Sequence, residues 1–250
     1  MGYREVKGVI LGRQESFDTD QEIFLLTREE GCLPVRAPHA QSSQKTYCGR
    51  LEPPNLIQTR LYRSRQNSGW TLSELEIDTP FAGWINETQS RRHLWPLLSL
   101  HRDLFPEGES PGPGYTRLIE GLKIICAGTV DTLLTVNRIL VQSARQAGVE
   151  PDFSHCFNCE REKSRLWRLT PGRGLLCERC FDVAAGNEVQ FGDAVRAAYE
   201  SFSFSPWDEV KNIKFDRKTL VNLESLMYRF LHYHLDISLE AYQVSKSLMS

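Results

Sequence analysis

The chain has 250 residues, of which 40% are hydrophobic and 25% are charged, and its formal net charge at pH 7 is -2. This length accommodates one large domain or two to three smaller ones, with enough apolar residues for packed cores. Because the overall charge is close to neutral, net charge alone does not indicate a nucleic-acid partner. Any such surface must be sought in local clusters of charge.

The N-terminal residues Met1–Glu5 lack the apolar run of a signal peptide, and no uninterrupted apolar stretch approaches the length of a membrane span. The chain has seven cysteines. An odd number without an export signal is typical of a reducing cytosol, so we expect a cytoplasmic protein with no membrane partner. Three scattered cysteines, Cys32, Cys48 and Cys126, are interpreted as small buried apolar residues.

The first 80 residues contain five short β-prone runs and predict a small barrel domain over residues 1–80. The runs cover residues 6–11, 22–27, 32–36, 56–64 and 70–77. A turn at Asn67-Ser68-Gly69 joins the last two into a hairpin, and a slip in the alternation near residue 74 indicates a bulge. Five strands of this size favour an OB-fold, although periodicity alone does not separate it from an SH3-like barrel.

Beyond Pro80 the apolar residues follow a helical period, which predicts an α-helical domain over residues 81–250 and an α+β chain overall. The predicted helices cover residues 86–105, 115–126, 131–147, 192–202 and 217–235. Pro96 should kink or divide the first of these helices. Gly148 is a plausible C-cap for the third helix.

Two close cysteine pairs interrupt the helical region. Cys156 and Cys159 form one pair, Cys177 and Cys180 form the other, and seventeen residues lie between the pairs. This spacing is typical of a zinc site, since four thiolates satisfy the tetrahedral preference of Zn²⁺. A shell of four thiolates leaves no open position for a substrate, so the zinc would be structural.

The residues between the pairs predict a zinc ribbon, inserted over residues 152–182. Leu166–Leu169 and Gly174–Cys177 can form two short strands, and Pro171–Gly174 has the composition of a turn. Two local disulfides or an iron ion are the alternatives to zinc. His155 could compete as a ligand, but four thiolates make it more plausible as a surface neighbour of the site.

Local charge favours a nucleic-acid surface in two places. Six basic residues between positions 36 and 65 are opposed only by Glu52, and Tyr47, Tyr62 and Trp70 lie among or beside them. Guanidinium groups beside aromatic rings suit single-stranded nucleic acid, whose phosphates and bases need these two partners. The alternative is a strand that shows an ordinary solvated face. The predicted ribbon carries the second cluster, which consists of Arg161, Lys163, Arg165, Arg168 and Arg173.

Motifs for catalysis are absent from the sequence. The chain has no Gly-x-Ser-x-Gly, no phosphate-binding Gly-x4-Gly-Lys-Ser/Thr loop and no His-Glu-x-x-His. Its six histidines are dispersed and do not form a ligand set. We therefore expect a protein that is not an enzyme.

Three features of the chain resemble the RecO family of bacterial recombination mediators. The run Phe24–Leu33, which reads Phe-Leu-Leu-Thr-Arg-Glu-Glu-Gly-Cys-Leu, is similar to a motif in the N-terminal barrel of the family. The segment Gly148–Phe153 resembles the entry to the metal site of the family. The order of barrel, helices, four-cysteine insert and closing helices also matches.

The resemblance implies a non-enzymatic function in DNA repair and homologous recombination. Members bind single- and double-stranded DNA, anneal complementary strands and work with RecR. They also bind the acidic C-terminal tail of single-stranded DNA-binding protein, and together these partners help load RecA on gaps. The barrel of the family is an OB-fold.

One departure concerns the basic loop that follows the third strand in the family. Here residues 37–44 are neutral, which shifts the expected DNA contacts to neighbouring residues. The candidate DNA-binding residues are Arg28, Arg36, Lys45, Arg50, Arg60, Tyr62, Arg63, Arg65, Arg165, Arg168 and Arg173. The alternative function is a zinc-ribbon scaffold that binds proteins with little direct DNA contact.

Overall fold

A computed structural model describes residues 2–16, 19–40, 47, 49–63, 69–85, 88–170, 174–181 and 190–247. The chain forms two compact units, of which one comprises Met1–Thr129 with Ser245–Ser250 and the other comprises Val130–Val244. The sequence predicts a domain boundary at residue 80, where strands give way to helices. The compact units divide after Thr129, so the helices between the barrel and that residue belong to the same unit as the barrel.

Five strands form a closed barrel in the first unit. They are β1 (Gly2–Glu15), β2 (Gln21–Thr27), β3 (Gly31–Ala37), β4 (Leu56–Arg63) and β5 (Trp70–Thr79), and they pair around the ring in the order β1-β2-β3-β5-β4. All pairings are antiparallel except that of β3 with β5, which is parallel. A five-stranded barrel of this kind confirms the predicted OB-fold.

Alternate residues of the strands fill the barrel, because successive side chains of a strand point to opposite faces. The fully buried members are Ile10, Ile23, Leu25, Leu33, Val35, Ala37, Ile57 and Leu61. Three bulges interrupt this alternation among the described residues. They lie at Leu11, at Asp78 and at Ser73, where Arg60 pairs with Glu74 and Leu61 pairs with Leu72. The bulge at Ser73 confirms the phase slip predicted near residue 74.

Three helices follow the barrel in the same unit: α1 (Phe81–Trp84), α2 (Thr88–Leu104) and α3 (Pro113–Ala127). The helix α2 continues through Pro96 and is not divided there. Proline has no N–H, so the carbonyl of Arg92, four residues earlier, loses its usual helical donor. The Ser245 hydroxyl supplies a substitute and donates to the Arg92 oxygen at 2.5 Å.

The second unit joins helices to a small sheet. Its elements are α4 (Thr132–Gln146), β6 (Trp167–Thr170), β7 (Gly174–Cys177), β8 (Gln190–Phe191), α5 (Asp193–Phe204), α6 (Trp207–Val210), α7 (Arg217–Leu235) and α8 (Glu240–Ser247). The last residues of α8, from Ser245 onward, belong to the first unit. The helices α4, α5 and α7 pack on one another. The strands form an antiparallel sheet in the order β7-β6-β8.

Most predicted elements match the structure closely, and the differences lie in short elements. The predicted helix at 217–235 has the observed bounds of α7, and Asp131 caps α4 by accepting from the Leu134 N–H at 3.0 Å. The elements α1, α6, α8 and β8 were not predicted. The predicted turns at 67–68 and 171–173, and Cys48, lie outside the described residues. No helix among the described residues is long and apolar enough to cross a membrane.

Gly31 provides a test of the packing between the β2–β3 turn and the loop that follows α2. Its φ is +73°, and a Cβ there would lie 2.2 Å from the Pro106 carbonyl oxygen, closer than atoms can approach. We expect Gly31→Ala to lower the free energy of unfolding by about 3 kcal/mol, measured by chemical denaturation.

Gly49 is the matched control, because its φ is +71° but no heavy atom lies within 4 Å of a Cβ placed there. Gly49→Ala should cost only the left-handed strain of about 1–2 kcal/mol. If both variants lost the same free energy of unfolding, the close packing at Gly31 would be contradicted.

Candidate functional site

The two cysteine pairs meet in the second unit. The strands β6 and β7 form a hairpin in which Trp167 pairs with Cys177, so the second cysteine pair begins where β7 ends. The Sγ atoms of Cys156, Cys159, Cys177 and Cys180 all lie within 4.8 Å of one another. The Cys159 and Cys177 sulfurs are 3.6 Å apart.

This four-cysteine cluster has the dimensions of a metal shell. Four thiolates at tetrahedral corners, each about 2.3 Å from one ion, lie about 3.8 Å from one another. A disulfide would require sulfurs at about 2.05 Å, and the six cysteines in the described part of the chain are all free thiols. The geometry therefore supports a site for one metal ion and disagrees with two local disulfides.

Backbone groups prepare the cluster for thiolates. The Cys177 N–H donates to the Cys156 sulfur at 3.4 Å. Burial raises the pKa of Cys156, but hydrogen bonds from the N–H groups of Cys177, Cys159 and Asn158 outweigh burial and lower it to about 6. The Glu160 N–H donates to the Cys156 carbonyl at 2.8 Å, which closes the first turn of the cluster.

The hairpin that carries Cys177 is fixed to α5 through Trp167. The Trp167 side chain is fully buried, and its Nε1–H donates to the Asp193 carboxylate at 2.6 Å. The Arg196 guanidinium lies over the same indole ring, 4.5 Å from its centroid. These contacts link the sheet under the metal site to the first turns of α5.

Arg168 lies in the interior of the second unit and not on its surface. Only 2% of the residue is exposed, and its guanidinium lies 4.6 Å from the centroid of the Phe181 ring. In this position Arg168 packs the hairpin beside Cys180 and is not accessible to a phosphate. We therefore exclude Arg168 from the candidate DNA surface.

Two of the predicted arginines lie near the seam where the barrel closes. The parallel pairs Val35–Trp70 and Arg36–Thr71 join β3 to β5, and the Arg63 guanidinium lies over the Trp70 ring at 4.3 Å from its centroid. We call Arg36, Arg63 and Trp70 the barrel-end cluster. Both arginines have acidic partners: Arg36 contacts Asp20 at 2.6 Å, and Arg63 contacts Glu107 at 3.2 Å.

A second group lies on the outer face of β4 and β1. Tyr62 pairs with Tyr3 across the two strands, and their ring centroids are 6.2 Å apart. The Arg60 guanidinium lies 5.1 Å from the centroid of Tyr3 and 3.4 Å from the Glu74 carboxylate. We call Tyr3, Arg60 and Tyr62 the β4 face. Tyr3 was not predicted, because its position opposite Tyr62 depends on strand register.

The remaining predicted residues are dispersed. Arg28 is exposed in the β2–β3 turn, at the end of that hairpin opposite Arg36, and Arg50 is exposed before β4. Arg165 is exposed beside the four-cysteine cluster in the second unit. Arg36 and Arg63 thus both lie on strands near the seam of the barrel, whereas Arg28 lies at the other end of the β2–β3 hairpin. Lys45, Arg65 and Arg173 lie outside the described residues.

Comparison with known proteins gives the family. The family model described as "Recombination protein O C terminal" matches residues 97–243, which is more than half of the chain. The chain belongs to the RecO family. The resemblance drawn from Phe24–Leu33, Gly148–Phe153 and the order of elements is therefore confirmed.

Curated RecO relatives align with both the barrel and the helical parts of the chain. DNA repair protein RecO of Nocardioides sp. is 25% identical over 185 residues, which cover 72% of this chain and 75% of the relative. RecO of Moorella thermoacetica is 21% identical over 238 residues, or 94% and 87% of the two chains. RecO of Bacillus subtilis is 24% identical over 177 residues, or 70% and 68%.

Trp167 allows a test of how the hairpin of this RecO chain is held. We expect Trp167→Ala to lower the free energy of unfolding by about 3–5 kcal/mol, because it leaves a large cavity under the metal site. Trp167→Phe keeps most of the packing but loses the hydrogen bond to Asp193, and should cost about 1 kcal/mol. Chemical denaturation in the presence of zinc measures both losses.

Phe157 provides the control on the same ribbon, because it is 66% exposed. Phe157→Ala should change the stability by no more than about 0.5 kcal/mol. A loss at Phe157 as large as that at Trp167 would contradict the anchoring of the hairpin through the buried indole.

Proposed function

We propose that this RecO-family chain is a DNA repair and recombination mediator that binds single- and double-stranded DNA and anneals complementary strands. It works with RecR and with the tail of single-stranded DNA-binding protein to help load RecA on gaps, and it makes or breaks no covalent bond itself. The observation that carries the DNA-binding part is the grouping of arginines with aromatic rings on the barrel, in the barrel-end cluster and the β4 face.

Each group in these two sets has a partner in a nucleic-acid strand. The guanidinium groups of Arg36, Arg60 and Arg63 suit phosphates, and the rings of Tyr62 and Trp70 offer flat surfaces to unpaired bases. The ion pairs of Arg60 with Glu74 and of Arg63 with Glu107 are exposed on both sides. Because exposed pairs contribute only about 0–1 kcal/mol, a phosphate can compete with these two carboxylates. Asp20, the partner of Arg36, is buried and holds its arginine more firmly.

Annealing follows from the same contacts. Arginine side chains that bind phosphates neutralise part of the repulsion between two strands. They leave the base edges free, because backbone contacts position a strand without reading its sequence. Complementary bases can then pair while both backbones remain on the protein.

We further propose that Zn²⁺ occupies the four-cysteine cluster. The four thiolates would complete its coordination, so the ion would hold the ribbon in shape and have no position for a substrate. A fixed ribbon presents Arg165 at the surface, where it can bind a phosphate backbone or an acidic protein segment. Arg173 has the same proposed role from its position in the sequence.

A protein-binding scaffold remains the second candidate, and one observation favours it. Arg36, Arg60 and Arg63 each already contact a carboxylate of the chain, which reduces the charge available to DNA. The two candidates differ in their response to an oligonucleotide. The scaffold would not bind DNA even at low salt.

The zinc proposal predicts one metal ion per chain. We expect purified protein to contain about one equivalent of zinc by elemental analysis, and Cys177→Ser to retain far less, because three thiolates close the shell poorly. Cys126→Ser is the matched control, since Cys126 lies outside the four-cysteine cluster and is partly buried. Full zinc content in Cys177→Ser would overturn the assignment of the ligands.

The DNA proposal predicts a loss of affinity and of salt dependence. In a salt series with a fluorescent single-stranded oligonucleotide, Arg63→Ala should weaken binding and reduce the slope of log K against log salt by about 0.7, since one phosphate contact is lost. Arg60→Ala should likewise weaken binding and reduce the slope by about 0.7. Tyr62→Ala should weaken binding with little change of slope, because a stacked base carries no counterion.

Lys218→Ala is the control for the loss of one positive charge, because Lys218 is exposed at the start of α7 in the second unit. Its binding curve should superimpose on that of the unaltered protein. Absence of any oligonucleotide binding at low salt, with and without RecR, would refute the mediator function.

A further inference from the structure

A groove on the first unit contains an exposed tryptophan that the proposed function does not use. A cavity of about 300 Å³ lies between the helix α2 and the segment that precedes β4. A smaller cavity of about 80 Å³ lies between α2 and the strands β1 and β2. Trp95 of α2 and Arg13 of β1 line both cavities, so these two side chains stand between them. We call the two cavities together the Trp95 groove.

The Trp95 ring is free to receive a ligand. Half of the residue is exposed, and it makes no hydrogen bond and no ring contact with any described residue. The floor beside it is apolar, with Leu94, Leu98 and Ile85 buried under the larger cavity. An exposed indole above an apolar floor favours a flat, weakly polar partner.

Arginines flank the indole on both sides. Arg91, Trp95 and Arg102 occupy one face of α2, at spacings of four and seven residues, and Arg13 faces them from β1. At 1.5 Å per residue, Arg91 and Arg102 lie about 16 Å apart along the helix axis. The positive charge thus extends along a track that passes the ring.

Each arginine is held in place by a neighbour. The Arg91 Nε–H donates to the Ile85 carbonyl at 2.9 Å. The Arg102 guanidinium lies over the Phe24 ring at 5.0 Å, and its Nε–H donates to the carboxylate of Asp103 at 3.1 Å. Arg13 contacts the Glu52 carboxylate at 2.8 Å, in a pair whose side chains are each about 40% exposed. Such an exposed pair is weak, so a phosphate can replace the carboxylate.

We propose that the Trp95 groove is a binding site for single-stranded nucleic acid, in which one base stacks on the Trp95 indole. The phosphates on either side of that base contact Arg13, Arg91 and Arg102. This inference rests on the proposed DNA-binding function and adds a second contact region on the same unit. A base stacked on one exposed ring is recognised without regard to sequence, because every base has a flat π-face.

The arrangement of charge favours a nucleic-acid strand over an acidic peptide. A peptide anchored by one apolar side chain needs cations only near the point where that side chain enters. Here cations lie at both ends of a track about 16 Å long, with the aromatic ring between them. A strand that carries one phosphate per nucleotide matches this repeated pattern.

The decisive experiment removes the base while keeping the phosphates. The full chain is titrated with a fluorescent oligothymidylate and with an oligonucleotide of equal length that contains abasic sites. Trp95→Ala is compared with Trp84→Ala, because Trp84 is 54% exposed but lines neither cavity. Circular dichroism checks that both variants fold.

We expect Trp95→Ala to weaken binding of the intact oligonucleotide by about 5- to 150-fold, the range for loss of one stacked base. Its affinity for the abasic oligonucleotide should match that of the unaltered protein, and its salt slope should remain. Trp95→Phe should recover part of the loss. Trp84→Ala should bind both oligonucleotides normally.

Variants of Arg91 and Glu52 test the proposed phosphate contacts independently of the indole. Arg91→Ala should reduce the salt slope by about 0.7 for both oligonucleotides, since it removes one phosphate contact. Glu52→Gln should tighten binding of both oligonucleotides, because it releases Arg13 from its competing carboxylate.

Three outcomes would count against the groove. If the unaltered protein binds no oligonucleotide, the proposed function and this inference both fail. If the unaltered protein binds but Trp95→Ala and Trp84→Ala have the same affinity for the intact oligonucleotide, the inference alone fails. If Trp95→Ala weakens intact and abasic oligonucleotides equally, the loss does not come from base stacking, and the inference fails in that case also.

Discussion

The first unit depends on the parallel pairing that closes the barrel. Within the described part of the chain, the pairs Val35–Trp70 and Arg36–Thr71 join β3 to β5 and complete the ring that encloses the apolar core. The same two pairs set the backbone of Arg36 beside that of Thr71, next to Trp70, over whose ring Arg63 lies. A change that opened this seam would separate Arg36 from the other two members of the barrel-end cluster as well as expose the core. The contact of Arg63 with Trp70 depends instead on the pairing of β4 with β5.

In the second unit the constraint is the stability of the β6–β7 hairpin, because a short hairpin has too little apolar surface to fold alone. Small segments of this kind usually need a metal or a disulfide. The ion proposed for the four-cysteine cluster would meet this need, and the buried Trp167, through its hydrogen bond to Asp193, fixes the hairpin to α5. The ribbon would therefore be held at two points, which would let exposed residues such as Arg165 keep a defined position.

Much of the fold was predictable because its signals are local. Alternation of apolar residues in the barrel strands and a 3.6-residue period in α2, α3, α4, α5 and α7 located these elements within a few residues. The slip at Ser73 was visible as a break in alternation. Short elements such as β8 and α6 lack a full period, so their sequences carry no comparable signal. Pro96 did not divide α2, because a distant hydroxyl from Ser245 satisfies the carbonyl that proline leaves without its donor.

The sequence by itself determined which four cysteines cluster and the strand and helix pattern, since both depend on spacing between near neighbours. Only the tertiary structure decided which cations are available. Arg168 and Arg165 look equivalent in the sequence, but Arg168 packs over Phe181 in the interior while Arg165 is exposed. Likewise, Trp95 becomes a candidate binding residue only because β1 brings Arg13 to α2. Exposure and charge pairing depend on contacts between residues far apart in the chain, and local sequence patterns do not encode these contacts.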